Sequence, residues 1–267
     1  MKEFLVLPES KVKLDELPTQ PPSKDDEFKE EIKRKTVKLG LRLADLQDVL
    51  YAENKQRLLV ILQGLDTAGK DSTTRNVFAP ISPQGLHVVG FKAPTKPELE
   101  HDYLWRIHDK VPGNGEIAVF NRSHYEEVLI VRVQDLQPEK VWRRRYRHIL
   151  EFERMLADEG TTIIKIFLHI SKDEQKKRLQ SRLEEKKKNW KWDPGDLRDR
   201  EYWDHYRDAY QEAMERTSTA QVPWYIVPAD KKWYRDYVVS SIVVDALEAL
   251  KMEYPKPVAD LSQVVIK

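Results

Sequence analysis

Short apolar runs alternate with longer amphipathic stretches over most of the chain. From about Glu27 to Asn54 apolar residues recur every three or four positions, which predicts a first long helix. Similar helical patterns then separate five apolar runs that have the length of strands buried on both faces. The five runs are Leu58–Leu62, Leu86–Phe91, Ile117–Phe120, Thr162–Leu168 and Trp224–Val227. The alternation predicts an α/β protein, a three-layer α/β/α sandwich with a five-stranded parallel sheet and right-handed crossovers.

The first 28 residues do not share this pattern. Four prolines interrupt any regular element there, so we expect a loosely ordered N-terminal arm over residues 1–28. The remainder, residues 29–267, contains no internal repeat and no second boundary, and we expect it to form one domain. Three of its helix starts, at Thr95, Ser123 and Ser171, fit the capping-box pattern because Glu follows each hydroxyl three residues later.

The charges of the chain balance almost completely. It has 46 Lys and Arg against 45 Asp and Glu, a net charge of +1, although 34% of all residues are charged. This balance excludes a protein that binds nucleic acid or a membrane surface through bulk positive charge. No apolar run approaches the ~18 residues of a membrane span, the start lacks a signal-peptide pattern, and Cys is absent. The expected compartment is the cytoplasm.

The first predicted strand leads into a glycine-containing loop with the pattern G-x-x-x-x-G-K. A loop of this kind between a strand and a helix can turn successive backbone N–H groups and the helix N-terminus towards phosphate oxygens. The alternative is a chance glycine-rich turn. The candidate phosphate-binding residues are Gly64, Thr67, Ala68, Gly69, Lys70, Asp71 and Ser72.

Two acidic residues make this loop unusual. The Ser or Thr that normally follows the lysine and binds Mg²⁺ is Asp71 here, so either Ser72 or a carboxylate would take over that role. Asp66 lies inside the loop, where a carboxylate repels phosphate unless a metal ion lies between them or the acid accepts a proton. Its alternative role is that of a turn residue that bonds its own backbone.

A second polar segment follows the third predicted strand. Asn121 stands where a phosphate-loop enzyme usually has a metal-binding Asp, and Arg122 follows where a second phosphate would lie. Glu126 is either a helix cap for Ser123 or a ligand of Mg²⁺, and both roles are compatible. The alternative for Arg122 is a surface ion pair with Glu126, four residues later.

These segments resemble polyphosphate kinase family 2, from about residue 30 to residue 255. The resemblance rests on Gly64-Leu-Asp-Thr-Ala-Gly-Lys-Asp71, Asp102-Tyr-Leu-Trp-Arg106, Phe120-Asn-Arg-Ser-His-Tyr-Glu126, Tyr146-Arg-His-Ile149 and Phe167-Leu-His-Ile-Ser171. It implies a five-stranded P-loop kinase core with a helical lid, phosphoryl transfer between polyphosphate and nucleotides, and a homodimer or homotetramer. Asn121, where the family usually has Asp, is similar to the class III branch, which accepts both AMP and ADP.

A basic segment directly follows the fourth predicted strand, where P-loop kinases carry their lid. Residues 172–191 hold nine Lys and Arg against four Asp and Glu. A polymer with one charge per phosphate needs a longer basic track than a nucleotide does, so this excess favours polyphosphate over a solvated charged helix. Arg178 and Arg182 are the candidate polyphosphate ligands of this lid, which we place at about residues 172–200.

The resulting hypothesis is transfer of phosphoryl groups from polyphosphate to AMP or ADP. Mg²⁺ is the first candidate metal and Mn²⁺ the second. Guanine nucleotides are further candidate acceptors. The alternatives are an ATP-dependent nucleotide or small-molecule kinase and a catalytically silent polyanion sensor. The expected catalytic residues are Asp66, Lys70, Asn121, Arg122 and Glu126. The expected nucleotide-binding residues are Lys92, Thr95, Arg122 and Arg132, and the expected metal ligands are Asp66, Glu126 and Glu127.

Overall fold

The structure, a computed structural model, describes residues 1–258, 261–264 and 266, so the predicted domain end at residue 267 lies outside the described residues. The strands are β1 (Leu5–Val6), β2 (Arg57–Gln63), β3 (Leu86–Gly90), β4 (Ile117–Asn121), β5 (Thr161–His169) and β6 (Trp224–Pro228). The helices are α1 (Asp26–Glu53), α2 (Lys70–Val77), α3 (Lys96–Leu99), α4 (Trp105–His108), α5 (Ile130–Val133), α6 (Glu139–Asp158), α7 (Lys172–Glu184), α8 (Gly195–Glu201), α9 (Trp203–Thr217) and α10 (Lys232–Ala249). All five apolar runs and the first long helix lie where the sequence predicts them.

The strands form one sheet in the order β1-β6-β5-β2-β4-β3. The last five of these are mutually parallel, as predicted, but the sheet has six strands rather than five. The additional strand is β1, which pairs antiparallel with β6. Two residues are too few to produce a periodic pattern, which is why the sequence did not indicate this strand.

Helices cover both faces of the sheet. Successive residues of a strand point to opposite faces, and every residue of β2 from Leu58 to Gln63 is buried. On the sheet, α10 packs against β5 and β6 and contacts α1 and α2, while α6 packs against β5 and contacts α9. This is the predicted three-layer α/β/α arrangement, and it brings the carboxyl ends of β2 and β4 together at one edge.

The N-terminal segment is packed against the core rather than loosely ordered. Val6, Val12 and Leu14 are buried although prolines interrupt the segment. The backbone N–H groups of Val12 and Leu14 donate to side chains of α9 at 2.9 Å each. Isolated apolar residues in an irregular segment carry no periodic signal, so only the tertiary structure reveals that they are buried.

The three predicted capping boxes have different outcomes. The box at Thr95 forms in full at the start of α3. Ser171 accepts a hydrogen bond from the backbone N–H of Glu174 at 3.1 Å, which is half of the box. At Ser123 the hydroxyl accepts from the N–H of Tyr125, and the chain continues as a 3₁₀ turn instead of an α-helix. The Glu126 carboxylate is thereby free for another partner.

In the described part of the chain, no helix has the length and apolar character needed to span a bilayer.

Candidate active site

The loop between β2 and α2 bends at residues with positive φ. Gly69 has φ +109°, a conformation strained for any residue with a side chain, and a Cβ atom here would also lie 2.0 Å from Arg235 Nη1. Thr67 has φ +64°, a left-handed conformation that is rare for a β-branched residue and typical of functional loops. The bend leads directly into α2, whose first backbone N–H groups have no partner within the helix. The loop therefore has the form that the phosphate-binding prediction requires.

The ammonium group of Lys70 is folded against its own loop. Its Nζ donates to the carbonyl oxygen of Gly64 at 2.6 Å and lies 3.4 Å from that of Leu65. Burial, with a smaller contribution from Arg122, lowers the pKa of Lys70 to about 8. Because little water solvates this cation, an oxyanion beside it would stabilise its charge strongly.

Asn121, at the end of β4, contacts the first turn of α2. Its Nδ2 donates to Asp71 Oδ1 at 2.5 Å. A neutral amide can hold this carboxylate, whereas a carboxylate at position 121 would repel it without a cation between the two. The neighbouring Ser72 hydroxyl donates to the carbonyl oxygen of Gly69 at 2.9 Å. Asp71 and Ser72, the two candidates to replace the missing metal-binding hydroxyl, thus both lie beside the loop.

Arg122 connects the two strand ends. It has φ +66° directly after Asn121 and donates to Asp66 Oδ1 at 2.8 Å and to Glu126 Oε2 at 3.2 Å. Burial by itself would raise the pKa of Asp66, but Lys70 and Arg122 outweigh burial and lower it. Asp66, Arg122 and Glu126 therefore form one cluster of alternating charge, with Lys70 near enough to lower the pKa of Asp66. Arg122 also makes the ion pair with Glu126 that was the alternative role, and its contact with phosphate stays a prediction.

Glu127 faces the same cleft but has a different partner. It forms an ion pair with Arg145 of α6. The Arg145 guanidinium lies 4.8 Å from the ring centre of Tyr103, so it also packs on an aromatic face. Burial raises the pKa of Glu127 in spite of the ion pair. The neighbouring carboxylates are thus held apart, Glu126 on the phosphate-loop side and Glu127 on the α6 side.

A cleft of about 990 Å³ opens beside this cluster. Asp66, Arg122, Glu126 and Glu127 line it, and its size suits a ligand as large as a nucleotide. Its wall also includes aromatic and basic residues that the sequence analysis did not select as site residues: Phe91, Tyr103, Arg106, Arg144, Arg145 and His148. For Arg144 and Arg145, the basic run at the start of α6 was a signal, but the sequence does not show which of its members face inwards.

The predicted nucleotide-binding residues divide between the cleft and other surroundings. Lys92 lines the cleft, and its role in nucleotide binding stays a prediction. The Thr95 hydroxyl is engaged by Glu98 at 2.8 Å in the capping box. Arg132 pairs with Glu212 at 2.6 Å and lines a separate surface pocket, so its assignment to the nucleotide site is corrected. The short helix α5 turns this side chain towards α9, which the spacing in the sequence could not indicate.

The two lid arginines have protein partners. Arg178 donates to the carbonyl oxygens of Thr67 and Ala68 in the phosphate loop, at 2.9 and 3.1 Å, and to those of Ala229 and Asp230, at 2.7 and 2.9 Å. With its remaining N–H on Glu174, all five donors of the guanidinium are used. Arg178 therefore supports the loop from behind in this conformation, where the sequence predicted direct phosphate contact.

Arg182 is likewise bound within the lid. It pairs with Asp196 at 2.6 Å and thereby ties α7 to the start of α8. Asp196 and Asp199 also line the cleft, although no sequence motif indicated them. Burial and the proximity of Asp66 raise the pKa of Asp199. Carboxylates from the lid and from the loop thus face the same space, a situation that a cation relieves.

The residues present fit a magnesium ion that is shared with a phosphate ligand. The described residues contain no group of three His, Cys, Asp or Glu side chains placed to hold a metal by themselves. Mg²⁺ usually takes only one or two carboxylates, with water and substrate phosphates completing its shell. Glu126 Oε1 is buried and has no hydrogen-bond partner within the described part of the chain. Asp66 and Glu126 would hold such an ion, while Glu127 is committed to Arg145.

Comparisons with known proteins match this chain over nearly its full length. A family model described as "Polyphosphate kinase 2 (PPK2)" matches residues 26–255. The chain is 50% identical over 267 residues to an AMP/ADP-polyphosphate phosphotransferase of Meiothermus ruber, covering 100% of both chains. It is 46% identical to an ADP-polyphosphate phosphotransferase of Rhodopseudomonas palustris, covering 96% of this chain and 92% of the relative. The crystal structure of polyphosphate kinase 2 from Arthrobacter aurescens superimposes with a TM-score of 0.93 at 43% identity, covering 98% of this chain and 93% of that one.

Proposed function

The chain belongs to the polyphosphate kinase 2 family, and from that premise we propose that it transfers phosphoryl groups between inorganic polyphosphate and the nucleotides AMP and ADP. One observation carries the proposal: the cluster of Asp66, Arg122 and Glu126 joins a buried phosphate-loop lysine to a cleft large enough for a nucleotide. A donor phosphate at the loop and an acceptor in the cleft would then meet at this cluster.

The donor would bind at the start of α2. Lys70 and the free N–H groups of the helix would neutralise the terminal phosphate of polyphosphate. Two more cations, Arg178 and Arg235, contact the carbonyl oxygen of the loop residue Ala68, and burial together with Arg178, Arg235 and Lys188 lowers the pKa of Lys232. Positive groups that crowd one another in this way favour a bound polyanion. The exposed lysines of the lid extend this positive surface.

The acceptor would occupy the cleft. Its phosphate would lie near Arg122, with Lys92 and the α6 arginines available for charge and the aromatic wall available for the base. The cleft thus offers basic residues for the phosphates of a nucleotide and aromatic residues for its base. Adenine nucleotides are the acceptors we propose first, because the relatives described above are named for AMP and ADP.

Positioning and charge neutralisation would account for most of the rate enhancement. For transfer of a phosphoryl group, the attacking and leaving oxygens must be held in line. The reaction requires little covalent chemistry from the protein. Bound Mg²⁺ would neutralise developing charge on the phosphates. Asp66 and Glu126 would orient that ion, and Arg122 between them would keep the acceptor phosphate from being repelled by the same carboxylates. Asn121 holds Asp71 in place without adding a further negative charge.

Donor choice tests the proposal. Purified protein is incubated with ADP, Mg²⁺ and polyphosphate in the absence of ATP, and ATP is measured by luminescence. We expect ATP to form and to require both polyphosphate and Mg²⁺. The Lys70→Ala variant should form ATP at least about 100-fold more slowly, since the donor charge would lack its partner. An ATP-dependent small-molecule kinase would give no product in this assay, and that result would reject the proposal.

A further inference from the structure

A buried polar network lies beneath the turn that carries Glu126 and Glu127. It consists of His124, Tyr125, Glu153, Lys165 and Thr217, all of them buried. These residues come from four separate elements: the 3₁₀ turn after β4, helix α6, strand β5 and helix α9. None of the five belongs to the catalytic cluster described above.

The contacts within this network are dense. Lys165 Nζ donates to Glu153 Oε2 at 2.6 Å, to Tyr125 Oη at 3.0 Å and to the carbonyl oxygen of Thr217 at 2.7 Å. Tyr125 Oη lies 2.9 Å from both Glu153 Oε1 and Thr217 Oγ1. His124 Nε2 lies 3.2 Å from Glu153 Oε1 and donates to it, because a carboxylate only accepts. The turn is thus fixed to the core through two consecutive side chains.

A buried charged pair is weak evidence for a role in stability. Burial lowers the pKa of Lys165 and opposes ionisation of Glu153, whose pKa nevertheless lies below normal because of Lys165 and His124. Replacing a buried ion pair by apolar residues of similar volume is often neutral or stabilising. What the pair supplies here is a fixed direction for its neighbours, since hydrogen bonds are directional and apolar contacts are not.

The same turn divides its side chains between core and cleft. His124 and Tyr125 point into the network, while Glu126 and Glu127, which follow directly, line the cleft. Ser123 is also anchored, since Gln63 Nε2 donates to its hydroxyl at 3.1 Å. A rotation of the turn about its anchors would move Glu126 away from Arg122.

We propose that Tyr125 and the Glu153–Lys165 pair are positioning residues for phosphoryl transfer, which hold Glu126 and Arg122 in register with the phosphate loop. This inference rests on the proposed function. Loss of the network should misplace the acceptor side of the site and leave the donor side intact, because the loop between β2 and α2 is built from other contacts. The expected signature is a lower kcat with an unchanged KM for polyphosphate.

The test uses Tyr125→Phe, which removes one oxygen atom and keeps the ring. Glu153→Leu combined with Lys165→Met removes both charges together, so that neither is left buried without a partner. Ser218→Ala is the matched control: its hydroxyl is also buried, donates to the carbonyl oxygen of Val6 at 2.7 Å and accepts from the Trp224 N–H at 3.1 Å, and in the described part of the chain no hydrogen bond joins it to the turn. For each variant, kcat, KM for ADP and KM for polyphosphate are measured, with melting temperature as the measure of folding.

We expect kcat to fall about tenfold or more in Tyr125→Phe and in the double variant. The KM for polyphosphate should stay within about twofold of wild type, and Ser218→Ala should keep wild-type kcat. Wild-type kcat in folded Tyr125→Phe would overturn the inference. The inference would also be overturned if, in all three variants, kcat fell and the KM for polyphosphate rose in proportion to the loss of melting temperature. A wild-type protein that makes no ATP from polyphosphate would instead reject the proposed function.

Discussion

Lys70 should take up a proton when polyphosphate binds. In the free protein, burial lowers its pKa to about 8 from the usual 10.5. A shift of about 2.5 units means that keeping the ammonium charged in the folded loop costs about 3 kcal/mol relative to water. A phosphate oxyanion beside Nζ removes that disadvantage, so the pKa of the bound state moves back towards its usual value.

The size of the uptake follows from the fraction of Lys70 that is neutral before binding. With a pKa of about 8, that fraction is about 0.1 at pH 7, about 0.5 at pH 8 and about 0.9 at pH 9. The uptake should therefore rise steeply with pH over this range. Because binding takes up a proton, affinity for polyphosphate should also fall above pH 8, where the neutral amine must be protonated at increasing cost.

Isothermal titration calorimetry with polyphosphate, in buffers of different ionisation enthalpy, measures the number of protons taken up. Lys70→Arg is the matched control, because arginine keeps its charge at every pH used. The proton uptake measured with that variant comes from the polyphosphate itself. The difference in proton uptake between wild type and the variant is the contribution of Lys70. A proton uptake that does not change between pH 7 and pH 9, or that is equal in Lys70→Arg, would show that Lys70 is not the group that takes up the proton.

Three further substitutions have outcomes that the contacts predict. Gly69→Ala should destabilise the protein by about 1–3 kcal/mol in urea unfolding, because the added methyl group meets Arg235 at 2.0 Å in a left-handed conformation, and unchanged stability would contradict this. Asn121→Asp places a carboxylate against Asp71, so its melting temperature should fall without Mg²⁺ and recover with it; equal loss in both conditions would be inconsistent with a shared cation. Arg132→Gln should leave the KM for ADP unchanged, since its guanidinium is paired outside the cleft, and a severalfold rise would restore its predicted role.

The parts of the fold that local patterns encode could be predicted from the sequence. The five parallel strands follow from apolar runs, and the phosphate loop follows from the spacing of Gly64, Gly69 and Lys70 after the first of them. Parallel strands end at the same edge of a sheet, and this places the loop beside the strand end at Asn121. The structure confirms that they touch, through Asn121 and Asp71.

The direction in which a charged side chain points could not be predicted in the same way. Arg178 and Arg132 were assigned to ligands from position along the chain, and both are bound by protein groups that come from distant segments. The strand β1 and the cleft residue Asp199 gave no periodic or motif signal at all. Such features depend on tertiary contacts, which a single sequence does not display.

In the proposed reaction, Lys70 holds a donor phosphate of polyphosphate for direct transfer to a nucleotide. The most direct measurement follows ³²P from labelled polyphosphate into unlabelled ADP, with product nucleotides separated by chromatography. We predict label in the terminal phosphate of ATP with wild-type protein and at least about 100-fold less label per unit time with Lys70→Ala. Unlabelled ATP from wild type would contradict direct transfer, and equal labelling by the two proteins would contradict the role of Lys70.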